Sequence, residues 1–158
     1  MDLTEHYRHQ DNLPHWQTPG ATHFIRTSTD ASTRGWLSQP AIAEVVARCI
    51  EHDDGELYEL HCWVLMPDHM HMIVHPMRRG AGYVPVPEIM HAWKSASAHR
   101  INQMLGRSGA FWQDEYYCHM IRSRRSYAKL CHYVRMNPVE AKLVEHPDEW
   151  QWYWGKYP

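Results

Sequence analysis

The chain has 158 residues, 44% of them hydrophobic, and a formal net charge of −2 with its 14 histidines neutral. That length suits one domain with a real core, and the near-neutral charge excludes a globally basic duplex binder, so any nucleic-acid site must be a local patch. No stretch approaches the ~20 apolar residues of a membrane span, and MDLTEHYRHQ lacks the apolar centre of a signal peptide, so a cytoplasmic protein is expected.

Residues 1–19 are polar and carry Pro14, Trp16 and Pro19, which reads as an arm preceding a single domain over 20–158. ATHFIRTST (21–29) alternates as a first strand after a Pro-Gly breaker. Ser38 and Pro40 open a helix with a stripe at Ile42, Val45, Val46 and Ile50, closed by Asp53-Asp54-Gly55. ELYELHCWVLM (56–66) has β-formers on both faces and predicts a central strand. Pro67-Asp68 turns the chain, and HMHMIVH (69–75) returns as its hairpin partner.

Residues 76–86, with Arg78, Arg79, Gly80, Gly82 and Pro85, read as a mobile basic loop. Pro87 opens a second helix with Ile89, Trp93, Ala96, Ile101 and Leu105 roughly on one side, ended by Gly106 and Gly109. EYYCHMIR (115–122) alternates as another strand. A third helix is expected from about Ser126 to Met136, interrupted by Pro138. The aromatic tail EWQWYWGKYP is expected to pack back onto the sheet. The order β-α-β-β-α-β plus one helix predicts an α+β fold of the ferredoxin-like, split β-α-β type with a mainly antiparallel sheet. Cys49, Cys62, Cys118 and Cys131 form no C-x-x-C pair and read as reduced core or edge residues.

His69 and His71 are two apart on a strand, so both imidazoles leave the same face and can converge on one divalent cation. The spacing carries little by itself, because 14 histidines in 158 residues give roughly one His-x-His by chance. Its setting adds weight: Met72, Ile73 and Val74 make the rest of the strand apolar, and imidazoles in such a place need partners. Tyr133 and Asn137 lie four apart and share a helix face; taken alone, a ring packed on the sheet and a cap before Pro138 explain them better than chemistry does. Phe111-Trp112-Gln113 and Tyr116-Tyr117 could stack unpaired bases or serve as core aromatics. Candidate DNA contacts are Lys94, Arg100, Trp112, Arg122, Arg78 and Arg79, with Arg124 and Arg125 beside them.

Together, WVLMPDHMHMIV, the helix with Lys94 and Ile101-Asn102, GAFWQDEYYCHMIR and YVRMNPVEAKLV resemble the REP-associated tyrosine transposases, over roughly residues 12–152. These are single-tyrosine HUH transposases. The resemblance implies that His69 and His71 bind a divalent cation, Mg²⁺ or Mn²⁺, with Asn137 as third ligand or its orienter. It implies Tyr133 as nucleophile, forming a 5′-phosphotyrosine link with single-stranded DNA beside a hairpin and rejoining strands from it. Single-stranded or hairpin DNA is the implied partner, with monomer or homodimer left open. Two departures stand out. Cys118 replaces an acidic residue found in many members, which makes a non-catalytic, domesticated hairpin-binding module the alternative reading. EWQWYWG also replaces a Trp-x-x-Ser-Ser ending.

Overall fold

The computed structural model describes residues 20–157; the arm over 1–19 lies outside them. The first strand, β1 (His23–Thr29), is followed by two short 3₁₀ turns and helix α1 (Pro40–His52). Pro40 sits in the first turn of α1, where its missing N–H costs nothing, and Ile42, Ala43, Val46, Ala47, Cys49 and Ile50 are its buried face. The chain then forms the hairpin of β2 (Tyr58–Leu65) and β3 (His69–Pro76).

The segment expected as a mobile loop is instead a small hairpin, β4 (Arg78–Arg79) with β5 (Gly82–Tyr83). The apolar residues flanking its turn hold it down: Val84 is buried, and its N–H donates to the Met77 carbonyl. Helix α2 (Val86–Leu105) buries Ile89, Met90, Trp93, Ser97 and Ile101 and ends at Gly106, whose φ of 61° is the left-handed conformation glycine adopts without strain. Leu105 is exposed at its end rather than part of the stripe.

Strand β6 (Trp112–Met120) starts three residues earlier than periodicity indicated, and the register against β1 shifts between Thr27 and Thr29. That irregularity hides the period-2 signal at the beginning of the strand. Helix α3 (Arg124–Glu140) is longer at both ends than expected. Ser123 caps it, accepting from the Ser126 N–H. Pro138 lies inside the last turn rather than ending it, and the Ala141 N–H still donates to Asn137 O. A proline so near the C-terminus removes one bond without collapsing a turn that has little helix left to propagate. The tail returns as β7 (Tyr153–Gly155) and pairs with Cys62–Val64 of β2, as expected of its aromatic run.

The five main strands form one antiparallel sheet in the order β6-β1-β3-β2-β7. Its first four strands follow the split β-α-β plan, with β7 added at the edge. The larger apolar cluster joins one sheet face to α1 and α2. A smaller cluster lies under α3 on the other face and includes Phe24, Val64, Ile73, Leu130 and Val134. No helix among the described residues is long and apolar enough to cross a membrane.

Candidate functional site

Alternation along β3 sends Met70, Met72 and Val74 into the larger cluster, and His69, His71 and Ile73 toward α3. The His69 and His71 rings stand edge to face with centroids 5.0 Å apart. Tyr133, on α3, places its ring 5.4 Å from that of His71. Asn137, one turn later and 8% exposed, lies within hydrogen-bond reach of the His69 imidazole. All four side chains come from one chain. Phe24 of β1 stacks on His71 at 5.3 Å and meets Tyr133 edge-on at 6.0 Å, forming an apolar wall behind both.

The imidazoles differ in their partners. His69 Nδ1 lies 2.8 Å from Asp68 Oδ1, and this contact holds the Asp68 carboxyl below its usual range. A carboxylate there favours the tautomer protonated at Nδ1 and leaves the Nε2 lone pair available, as in metal-bound histidines. His71 is 1% exposed, and neither of its ring nitrogens has a hydrogen-bond partner among the described residues. Burial depresses the proton affinity of His69, and more strongly that of His71, with further lowering from Arg26 in both cases and from His69 for His71. Both are therefore neutral near pH 7, the form that ligates a cation.

Two orphaned nitrogens in a closed apolar setting are costly unless something occupies them. Two neutral imidazoles and the Asn137 amide oxygen are a donor set that suits a divalent cation, with coordination positions left for a ligand. Among the described residues no three His, Cys, Asp or Glu side chains stand together, so the third protein donor available at this pair is an amide.

The remaining predicted residues scatter. Trp112 is 5% exposed; its indole N–H donates to Ser97 Oγ, and its ring meets Trp93 at 5.2 Å. It is a core residue with no face for a base, and the pairing of Phe111 and Trp112 with α2 explains their apolar character. Lys94 Nζ donates to the carbonyl of Gln113 at 2.6 Å and lies over the Tyr116 ring, on the α2 side of the sheet. Arg100 also belongs to α2 and interacts with Cys49 of α1. Neither is near the histidine pair. Arg79 is ion-paired with Glu88, and Arg78 is exposed in the same hairpin. Arg122 is exposed just before α3, where Arg124 and Arg125 begin the helix.

Cys118 packs against the larger cluster, opposite Ile25 and on the face away from His71. Burial pushes its thiol up to about 12. An acidic side chain at this register position would not reach the histidine pair on the far face, so the cysteine removes no donor from it.

Sequence reasoning missed Asp68, Phe24 and Arg26. The first directly precedes His69, and the alternation in HFIRTST already puts Phe24 and Arg26 on one face. What it could not supply was the pairing register that aligns that face with His71.

The sequence profile described as "Transposase IS200 like" matches residues 27–137, most of the chain and all four residues of the cluster. The chain belongs to the IS200-like transposase family. It is accordingly a protein of the DNA-transposition class. In shape this transposase is similar to a REP-associated tyrosine transposase solved bound to a REP hairpin, at 19% identity and a TM-score of 0.75, covering 91% of this chain and 82% of that one. It is also similar to a bacterial tRNA(His) guanylyltransferase-like protein solved with GTP, at 7% identity and a TM-score of 0.56, covering 80% of this chain and 66% of that one. No curated protein sequence matches it significantly.

Proposed function

We propose that this transposase cleaves single-stranded DNA beside a hairpin and transfers the strand through a 5′-phosphotyrosine intermediate on Tyr133. The observation that carries this reading is the contact of the Tyr133 ring with His71, beside His69 and Asn137, within one chain. The likeness to a transposase solved with a REP hairpin supports hairpin DNA as the substrate class.

His69, His71 and Asn137 would hold Mg²⁺ or Mn²⁺, which supplies positive charge against the scissile phosphate. The chain's own residues do the rest. Tyr133 Oη forms a bond to phosphorus while the bond to the 3′ oxygen breaks; the phenol loses its proton and the departing oxygen takes one up, leaving a free 3′-hydroxyl. The phosphodiester is exchanged for a phosphotyrosine ester, so a second 3′-hydroxyl can reverse the step and join strands without a nucleotide cofactor. Asp68 orients His69, and Phe24 packs His71 and Tyr133 together, so that little reorganisation precedes attack.

The test is incubation with a labelled single strand carrying an imperfect hairpin, with Mg²⁺ or Mn²⁺ and with chelator. The expected result is a denaturation-resistant protein–DNA adduct that requires the cation and disappears in Tyr133→Phe, while hairpin binding persists. An adduct of undiminished yield in Tyr133→Phe would remove the nucleophile assignment.

A further inference from the structure

Strand register places one row of side chains across the α3 face of the sheet. Tyr117 of β6 pairs with Arg26 of β1, Arg26 with His71 of β3, His71 with Val64 of β2, and Val64 with Tyr153 of β7. Directly opposed residues in antiparallel strands have Cβ atoms about 4.5–5.5 Å apart and share a face. Arg26 is therefore the immediate cross-strand neighbour of the most buried imidazole in the cluster, and the next position along that face of β1, Ser28, pairs with His69.

Arg26 is exposed, whereas Phe24 and Ile25 before it are buried. It forms no ion pair among the described residues, although Arg34, Arg48, Arg79 and Arg135 each have a carboxylate partner. An uncompensated guanidinium beside two imidazoles, at a place suited to a cation, raises the local electrostatic cost unless an anion comes between them. Phosphate is the natural anion for a planar, permanently charged fork.

We propose that Arg26 is a phosphate-binding residue of the site, gripping a non-bridging oxygen of the DNA strand next to Tyr133. This rests on the strand-cleavage reading above and assigns the residue that positions the phosphate for it. The ordinary alternative is a solvated arginine on a strand, and the two differ in what they predict.

Adduct formation on a single-stranded hairpin oligonucleotide would be followed at saturating DNA for the wild type, Arg26→Ala, Arg26→Lys and Arg48→Ala, the last a surface control on α1. Arg26→Ala is expected to slow the adduct step about 10²–10³-fold, the usual loss for one donor aimed at developing charge. Arg26→Lys should recover part of that rate, and Arg48→Ala should match the wild type. Melting temperatures should stay together, since Arg26 is exposed. In parallel, the slope of log Kd against log salt should fall by about 0.7 in Arg26→Ala, the value for one phosphate contact on a single strand.

Wild-type adduct rates and an unchanged salt slope in Arg26→Ala would overturn the inference. A wild type that forms no adduct with any divalent cation would overturn the cleavage reading instead. The salt slope would then still decide whether Arg26 meets a phosphate.

Discussion

The two faces of the sheet are built from the same strands by opposite rules. Under α1 and α2 the buried residues are almost all apolar; the Trp112 indole bonds Ser97 and the Tyr58 hydroxyl donates to the Ile50 carbonyl at 2.5 Å, while the indole nitrogens of Trp63 and Trp93 have no partner among the described residues. Under α3 the cluster is smaller and gathers His69, His71, Tyr133 and Asn137, with both His71 nitrogens unmatched. One face stabilises the fold. The other gathers the groups proposed for strand cleavage around a buried imidazole with two unpartnered nitrogens, the pattern expected where a site overrides local rules.

That contrast can be broken most sharply at His71. His71→Phe should reduce strand cleavage below detection, yet raise the stability of the metal-free protein by about 1–3 kcal/mol, since two unsatisfied buried atoms vanish between Phe24 and Tyr133. Denaturant titration in chelator checks the second half; a destabilised variant would mean that the nitrogens are satisfied in solution.

The opposite outcome is expected on the other face. Trp93→Ala should cost about 3–5 kcal/mol, because a fully buried indole leaves a cavity between α2 and β6. The fraction that remains folded should still form adduct at close to the normal rate. A loss of activity in excess of the loss of folded protein would show that the faces are not independent.

Acid should separate them next. Burial holds His23, His61, His69 and His71 below the ordinary imidazole value of 6.5. The unfolded chain therefore binds their protons more readily. Stability of the metal-free protein should be intact above pH 6.5 and fall as pH drops below it, by up to about 1.4 kcal/mol per pH unit for each such histidine. Urea midpoints measured from pH 8 to pH 5 should fall only below 6.5, and less steeply in His71→Phe.

The smallest effect is expected at Cys118. Its side chain packs with Ile25 on the α1–α2 face, so Cys118→Ala should change the adduct rate by less than about twofold. A large loss would place the sulfur in the reaction.

Much of this was readable from the sequence because alternation and capping are local. HFIRTST, YELHCWVL and HMHMIVHP announce strands, Pro40 and Gly106 mark helix ends, and the aromatic tail returns to the sheet as its composition suggested. The spacing of Tyr133 and Asn137 on one helical face was equally visible. The failures share a cause. Trp112 looked like a stacking surface because composition cannot say which face of a strand is covered. Pro138 looked like a helix end because a proline's cost depends on how much helix follows. The placing of Arg26 opposite His71 was not readable either, because cross-strand register is encoded by no local pattern.

The most direct test of the whole account is to map the attachment point. Wild-type protein and a single-stranded hairpin oligonucleotide would be trapped with Mg²⁺ or Mn²⁺, digested with protease and nuclease, and sequenced by mass spectrometry. The expected product is a nucleotide esterified through its 5′ phosphate to Tyr133. Attachment at Tyr117, Tyr127 or another side chain would contradict the claim that the α3 face is the strand-cleaving site built around Tyr133 and the two histidines.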